Sequence, residues 1–286
     1  MRNLILLIFS ILFILLLPDQ IRNEDIQNYY SIWGSNFDFS ELQLKEKIEI
    51  ISRIWFYITG HFNFFIFQLI NIFIISSLII NVREKFFENE NISKYLILFT
   101  PSTFVILAYT WRQGFAFLFF TLAWYIYNTK PKFIFYIISC AIHSSSIIFF
   151  MVNIISRIKN KILYFIILLI LLILLITFYF EFPYFIGIRG DITSFAFIGW
   201  VFYSLISILF YFIYTRKSIK SIFVIIPDIY ICLVLTSIVT ISSPVIISRF
   251  LFPLQLFISS PIKTKGKYFY NVITGLNIIL FLRLFF

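Results

Sequence analysis

The sequence predicts an all-α polytopic membrane protein, and its composition, charge and apolar runs support this fold class. The chain of 286 residues is 61% hydrophobic, and only 13% of its residues are charged. A soluble domain averages roughly 25% charged residues, so most of this surface must face lipid. The lysines and arginines fall in short clusters between apolar runs, as in cytoplasmic loops of membrane proteins. The formal charge of +10 therefore reflects membrane orientation and does not indicate a nucleic-acid partner.

The apolar runs predict about nine transmembrane helices and one re-entrant helical hairpin in a single integral membrane domain, residues 1–286. The first run, 4–17, follows Arg2 as a signal peptide would. It lacks an A-x-A cleavage site, so we interpret it as a retained helix. The other spans are predicted at 62–81, 95–109, 115–127, 162–180, 198–214, 222–241, 250–261 and 268–285.

Residues 18–52 form the one long polar segment of the chain. Acidic residues outnumber basic ones there, and the positive-inside rule therefore places the segment outside. Apolar residues at its end predict a helix that lies along the membrane interface before the next span. These residues are Leu42, Leu44, Ile48, Ile51 and Trp55.

The segment 133–156 conflicts with the charge pattern if it crosses the membrane once, because three basic clusters would then lie outside. Two full crossings need roughly 40 residues, and this segment is too short for them. A re-entrant hairpin of two half-helices resolves the conflict, with its turn at the polar residues 143–146. The alternative is a single span that obeys the charge rule weakly.

Arg112 and His143 are the first candidate site residues, because ionisable groups inside a bilayer are expensive and mark functional sites by default. A guanidinium at the start of a helix suits phosphate oxygens. His143 could transfer a proton near neutral pH, and Ser144 could help to cap the second half-helix. The alternatives are an arginine that reaches lipid headgroups and a histidine that is hydrogen-bonded to a neighbouring helix.

Other candidates lie in the outer segments. The carboxylate of Asp25 could act as a base toward a sugar hydroxyl, and Tyr29 could stack on a sugar ring. Arg189 and Asp191 share a glycine-flanked outer loop, and Arg249 lies at the outer end of a span. Several arginines around one outer vestibule would suit a substrate that carries a diphosphate. Each of them could equally be an ordinary interface anchor or solvated loop residue.

Metal and disulfide chemistry are not predicted. The chain has two histidines, His61 and His143, and two cysteines, Cys140 and Cys232, and none of them shows metal-ligand spacing. Both cysteines lie in apolar runs, where simple packing accounts for them. We therefore expect no metal and no cofactor.

Four sequence pieces resemble the EpsG-type family, which includes Wzy-type O-antigen and capsular polysaccharide polymerases. They are D-I-Q-N-Y-Y at 25–30, G-H-F-N-F-F-I-F at 60–67, W-R-Q-G-F-A-F at 111–117 and I-H-S-S-S-I at 142–147. The similarity covers roughly residues 20–155. Glu41-Leu-Gln-Leu departs from the family pattern because it lacks a glycine, and we assign no role to Glu41.

The resemblance implies a metal-independent enzyme of the bacterial inner membrane. Such an enzyme joins oligosaccharide repeat units carried on undecaprenyl diphosphate, at the periplasmic face, into O-antigen, capsule or exopolysaccharide. It also implies membrane lipid, a chain-length regulator and a flippase as partners. By position it points to Asp25, Tyr29, Arg112, Gln113, His143 and Ser144.

The hypothesis from the sequence is therefore glycosyl transfer, in which arginines hold the diphosphate and a base takes the acceptor proton. His143 and Asp25 both remain candidates for that base. One alternative is a polysaccharide-lipid flippase or transporter, for which two halves with matching interrupted helices would be expected. The other alternative is a membrane acyltransferase that modifies sugars.

Overall fold

The fold is helical in every part of the chain that the structure describes. In this computed structural model the described ranges are 1–17, 25–34, 49–86, 92–125, 131–143 and 146, with isolated positions at 158–173 and 275–279. Within these residues there is no β-strand. The all-α prediction is therefore confirmed for this part of the chain.

The described residues form seven α-helices, one π-helical turn and one 3₁₀ helix. They are α1 (Arg2–Leu16), α2 (Asp25–Asn28), a π-helical turn (Tyr29–Gly34), α3 (Ile50–Gly60), α4 (Phe64–Phe86), a 3₁₀ helix (Ile92–Phe99), α5 (Pro101–Tyr109), α6 (Trp111–Tyr125) and α7 (Pro131–Ile142). By its contacts the chain divides into two units, Met1–Ser146 with Gln255–Phe286 and Ile147–Leu254. All of these helices belong to the first unit. The prediction of one domain stays a prediction.

Helix α4 is long and apolar enough to cross a bilayer. Its apolar stretch, Phe64–Glu84, has 21 residues, which at roughly 1.5 Å per residue gives about 30 Å, the thickness of a hydrocarbon core. The Asn63 side chain caps its start by accepting the Ile66 N–H at 2.9 Å. Among the described residues this is the one helix that passes the test, and α1 is a shorter apolar helix. The span predicted at 62–81 thus corresponds to α4, whereas most of the other predicted spans lie outside the described residues.

Helix α1 runs antiparallel to α4, and charged side chains connect their ends. Arg2 Nη1 donates to Asn81 Oδ1 at 3.1 Å and to Glu84 Oε2 at 3.0 Å. Lys94 Nζ donates to the other oxygen of Glu84 at 2.5 Å. The basic residues Arg2 and Lys94, which the sequence predicts on one side of the membrane, therefore lie at one end of α4. Arg83 lies one residue before Glu84 and beyond the end of the predicted span 62–81, where the sequence predicts a loop. Helix α4 instead extends through Arg83, and its side chain is fully buried.

The span predicted at 95–109 is not one continuous α-helix. A 3₁₀ helix ends at Phe99, and α5 begins at Pro101. Proline has no backbone N–H and is favoured at the first helical position. The Thr100 hydroxyl accepts the Thr103 N–H at 3.3 Å and caps the new helix. The Thr-Pro pair therefore starts a separate helix within the apolar run.

Several helices bury polar side chains and expose large apolar ones. On α3, Ser52 is buried whereas Ile58 is 53% exposed. On α7, Ser139 is fully buried whereas Ile134 and Ile137 are more than half exposed. This is the reverse of the arrangement in a water-soluble protein, where apolar faces point inward. Helix α3 overlaps the end of the helix predicted along the interface, and residues 42–48 lie outside the described part. Its position relative to a membrane stays a prediction.

A sharp bend between α5 and α6 positions the start of α6. The two helices are separated only by Thr110, which leaves the helical conformation at φ −135° and ψ 55°. In a straight helix Ile106 and Gly114 would be about 12 Å apart at 1.5 Å per residue. Instead, a Cβ on Gly114 would lie 2.4 Å from Ile106 Cγ2. Glycine at 114 therefore permits this close packing of α6 against Ile106.

We predict that Gly114→Ala destabilises the protein by about 1–3 kcal/mol, because the new methyl group overlaps Ile106 in a packed site. The measurement is the thermal unfolding of detergent-solubilised protein. Combination with Ile106→Leu, which removes the Cγ2 methyl, should recover part of the loss. Gly275→Ala is the control, since a Cβ there meets nothing within 4 Å. Equal stability of Gly114→Ala and wild type would contradict the close packing.

Candidate functional site

The candidate site is centred on Arg112 in the first turn of α6. Its Nη1 donates to Oε2 of Glu49, which is 63 residues earlier in the sequence, and the two side chains form an ion pair. The Glu49 side chain is only 4% exposed, and that of Arg112 is 21% exposed. A charge this deeply buried is tolerated only with an opposite charge or hydrogen-bond donors beside it. The pair therefore ties the start of α6 to the start of α3.

Glu49 is held rigidly because it is the residue that precedes α3. Its carbonyl oxygen accepts the Ser52 hydroxyl at 2.9 Å and the Arg53 N–H at 3.3 Å. The N-terminus of a helix carries a partial positive charge, which favours a carboxylate at this position. Arg53, one turn further on, is also buried, at 7% exposure. The sequence thus places two charges on the buried side of α3.

Tyr29 supports the other side of Arg112. The guanidinium carbon lies 5.2 Å from the centroid of the Tyr29 ring, within the range of a cation–π interaction. The ring stacks on Phe56 with centroids 4.9 Å apart and planes inclined by 7°. Trp111, fully buried, lies 6.2 Å from both rings. Tyr29 was predicted to stack on a sugar, but its ring is 6% exposed and packs beneath Arg112 in this structure.

Helices α6 and α7 pack antiparallel over much of their length. The Ser139 hydroxyl donates to the Ala116 carbonyl at 2.8 Å. One turn further along, the rings of Phe120 and Tyr136 are 5.0 Å apart. Each step toward the end of α6 is thus matched by a step back along α7. This register fixes which residues face one another at the two ends of the pair.

The same register puts His143 at the level of Arg112. Arg112 lies one turn before Ala116 on α6, and His143 lies one turn after Ser139 on α7. The His143 N–H donates to the Ser139 carbonyl at 3.0 Å, so α7 continues up to this residue. The Ser146 N–H then donates to the His143 carbonyl at 3.0 Å and closes a turn. Helix α7 therefore ends where the sequence predicts a turn, and the re-entrant hairpin stays a prediction.

The structure brings together some of the predicted site residues and leaves others undescribed. Arg112, Tyr29 and His143 lie on neighbouring elements, and Gln113, beside Arg112, is buried at 7% exposure. Asp25 is the first residue of α2. Four further candidates lie outside the described residues: Ser144, Arg189, Asp191 and Arg249.

Two buried charged residues of the site were missed by the sequence reasoning. The sequence indicates for Glu49 only that it is one of the acidic residues of the polar segment 18–52, and it indicates no role for Arg53. A signal was present, because Glu49 directly precedes α3 and Arg53 follows it by four residues, a spacing that brings two side chains to one helix face. The pairing of Glu49 with Arg112 had no such signal, since nothing local in the sequence relates residues so far apart.

We predict that Ser139→Ala destabilises the protein by about 0.5–1.5 kcal/mol, because it removes the buried hydrogen bond that connects α7 to α6. Ser76→Ala is the matched control. Ser76 is also fully buried, but its hydroxyl has no hydrogen-bond partner among the described residues. Thermal unfolding in detergent compares the two variants. A larger loss for Ser76→Ala than for Ser139→Ala would contradict the α6–α7 register.

Comparison of the chain with family models, with curated proteins and with solved structures gives no match. The resemblance to the EpsG-type family therefore stays a prediction from four short sequence pieces. Two of these pieces, around Arg112 and His143, contribute the facing ends of α6 and α7.

Proposed function

We propose that the chain is a multi-pass glycosyltransferase of the bacterial inner membrane. It polymerises undecaprenyl-diphosphate-linked oligosaccharide repeat units into O-antigen, capsule or exopolysaccharide at the periplasmic face. The observation that carries this proposal is the arrangement of Arg112 at a helix start, fixed by Glu49 and Tyr29, with His143 level with it on the next helix. These residues can bind an anionic leaving group and move a proton, which are the two tasks of glycosyl transfer.

The two ends of α4 support the periplasmic side for this site. Arg2 and Lys94 surround Glu84 at one end, and the positive-inside rule assigns such a basic cluster to the cytoplasm. At the other end, Trp111 packs on Phe67, with ring centroids 5.4 Å apart. Arg112, which follows Trp111, thus belongs to the outer half of the membrane in this proposal. The exposed apolar faces of α3 and α7 then contact lipid.

The full topology is part of the proposal. Nine spans and a re-entrant hairpin at 133–156 bring the basic clusters to the cytoplasmic side. Helix α6 has 15 residues, about 22 Å at 1.5 Å per residue, which is shorter than the roughly 30 Å of a hydrocarbon core. If its end at Tyr125 lies at the cytoplasmic surface, Arg112 lies below the outer surface. Such a recess gives a water-poor site in which electrostatic interactions are strong.

In the proposed reaction the bond between the anomeric carbon and the diphosphate oxygen breaks, and undecaprenyl diphosphate leaves with the electron pair. Arg112 binds the phosphate oxygens and stabilises the charge that grows on them. The acceptor hydroxyl oxygen forms the new bond to the anomeric carbon. His143 takes the hydroxyl proton, and its level beside Arg112 supports this choice over Asp25.

We predict that Arg112→Lys prevents chain growth while the protein remains in the membrane. Lysine keeps the charge but loses the planar fork that matches phosphate and carboxylate oxygens. Arg2→Lys is the matched control, since Arg2 is also an ion-paired arginine but lies at the opposite end of α4. The measurement is surface polysaccharide on a gel from cells that lack the gene and carry each variant. Arg112→Lys should give a single repeat unit, and Arg2→Lys should give the full ladder.

The same gel distinguishes the alternatives. A full ladder from cells with Arg112→Lys would contradict the role of Arg112. Loss of even the single repeat unit in cells without the gene would favour a flippase or transporter, since nothing would then reach the acceptor. A ladder of normal length that lacks an acyl group would favour an acyltransferase. His143→Ala should behave as Arg112→Lys if His143 is the base.

A further inference from the structure

We infer that Glu49 is a positioning residue for Arg112, which fixes the guanidinium in the orientation that the diphosphate requires. This inference rests on the proposed function. The inference is based on the buried ion pair between Glu49 and Arg112 and on the cation–π contact between Arg112 and Tyr29. Glu49 lies in the polar segment 18–52, in which the sequence predicts functional roles only for Asp25 and Tyr29.

Glu49 is suited to this role because its own position is fixed. Its carbonyl is held by the first turn of α3, and its carboxylate is almost inaccessible to solvent. A surface carboxylate could rotate toward water, whereas the buried carboxylate of Glu49 stays beside Arg112. Burial also makes the pair stronger than an exposed one, since water does not screen it.

Arg112 is thereby constrained in two directions. Glu49 contacts one end of the guanidinium at Nη1, and the guanidinium carbon lies 5.2 Å from the centroid of the Tyr29 ring. A guanidinium has five donors in one plane, more than a single carboxylate can accept, so phosphate oxygens can bind in the same plane. Removal of the Glu49 charge takes away the ion-pair partner that directs Nη1. The guanidinium then turns, and its donors no longer point at the leaving group.

The effect should appear in kcat more than in KM. Arg112 acts on charge that develops as the anomeric bond breaks, and an interaction made in the transition state alone changes kcat. The Glu49 side chain is 4% exposed and is therefore not accessible to a substrate for ground-state binding. A displacement of about 1 Å in a catalytic group costs about 100-fold in rate. Glu49→Gln, which keeps the size and removes the charge, should therefore lower kcat by about 100-fold with little change in KM.

The experiment measures elongation of a lipid-linked repeat unit by purified protein, together with thermal unfolding of each variant. Glu84→Gln is the matched control, because Glu84 is also an ion-paired carboxylate but lies at the opposite end of α4. It should leave kcat unchanged. Glu49→Asp, which keeps the charge but shortens the side chain, should lose less activity than Glu49→Gln.

The charge-exchanged double variant, Glu49→Arg with Arg112→Glu, separates positioning from stability. It retains an opposite-charge pair, so its unfolding temperature should exceed that of Glu49→Gln, whereas its activity should remain lost. Recovery of activity together with stability would overturn the inference, because the pair would then be structural only. Wild-type kcat in Glu49→Gln would overturn it as well. Wild-type protein that elongates nothing would overturn the proposed function instead, and unfolding would still report the ion pair.

Discussion

The ion pair between Glu49 and Arg112 is the interaction on which the packing around the start of α6 depends. It joins the starts of two helices that are distant in sequence, and it buries the Glu49 carboxylate almost completely. Loss of one partner of such a pair leaves an uncompensated charge and costs about 3–5 kcal/mol. The rings of Tyr29, Phe56 and Trp111 pack against one another, and the Tyr29 ring contacts Arg112. The orientation of Arg112 is therefore a property of the folded protein before any substrate arrives.

Charge is segregated along α4. Glu84, with its two basic partners, lies at one end, and the cluster around Arg112 lies near the other. Between them the buried face of α4 is mainly apolar, with Asn71 hydrogen-bonded to Trp55 of α3 at 2.7 Å. A helix of this length separates the two charged ends by about the thickness of a hydrocarbon core. In the proposed topology the same helix connects the basic end, which is assigned to the cytoplasm, with the end near Arg112.

Local features of the fold could be predicted from the sequence, because they depend on nearby residues. The apolar run of α4 and the turn that follows His143 come from hydropathy and from polar residues at defined positions. The helix start at Pro101 could also have been predicted, since a Thr-Pro pair is typical of a helix start. One span was predicted at 95–109 because these residues form a single apolar run. The burial of Arg83 was missed because a basic residue near the end of a span resembles a loop anchor.

The pairing of Glu49 with Arg112 could not be predicted, since a single sequence carries no information on which distant charges meet. The level of His143 relative to Arg112 follows from one hydrogen bond and one tilted ring contact between α6 and α7, which no local pattern in the sequence indicates. The sequence therefore identified candidate side chains, and the structure supplied their neighbours. The sequence predicts that Tyr29 stacks on a sugar ring, whereas in the structure its ring contacts Arg112.

The central claim is that this chain alone forms glycosidic bonds between lipid-linked repeat units. The most direct test places purified wild-type protein in lipid nanodiscs with one undecaprenyl-diphosphate-linked repeat unit and separates the products by length. We expect a ladder that grows by one repeat unit per step, with release of undecaprenyl diphosphate. Unchanged substrate, with no longer product and no released diphosphate, would contradict the claim.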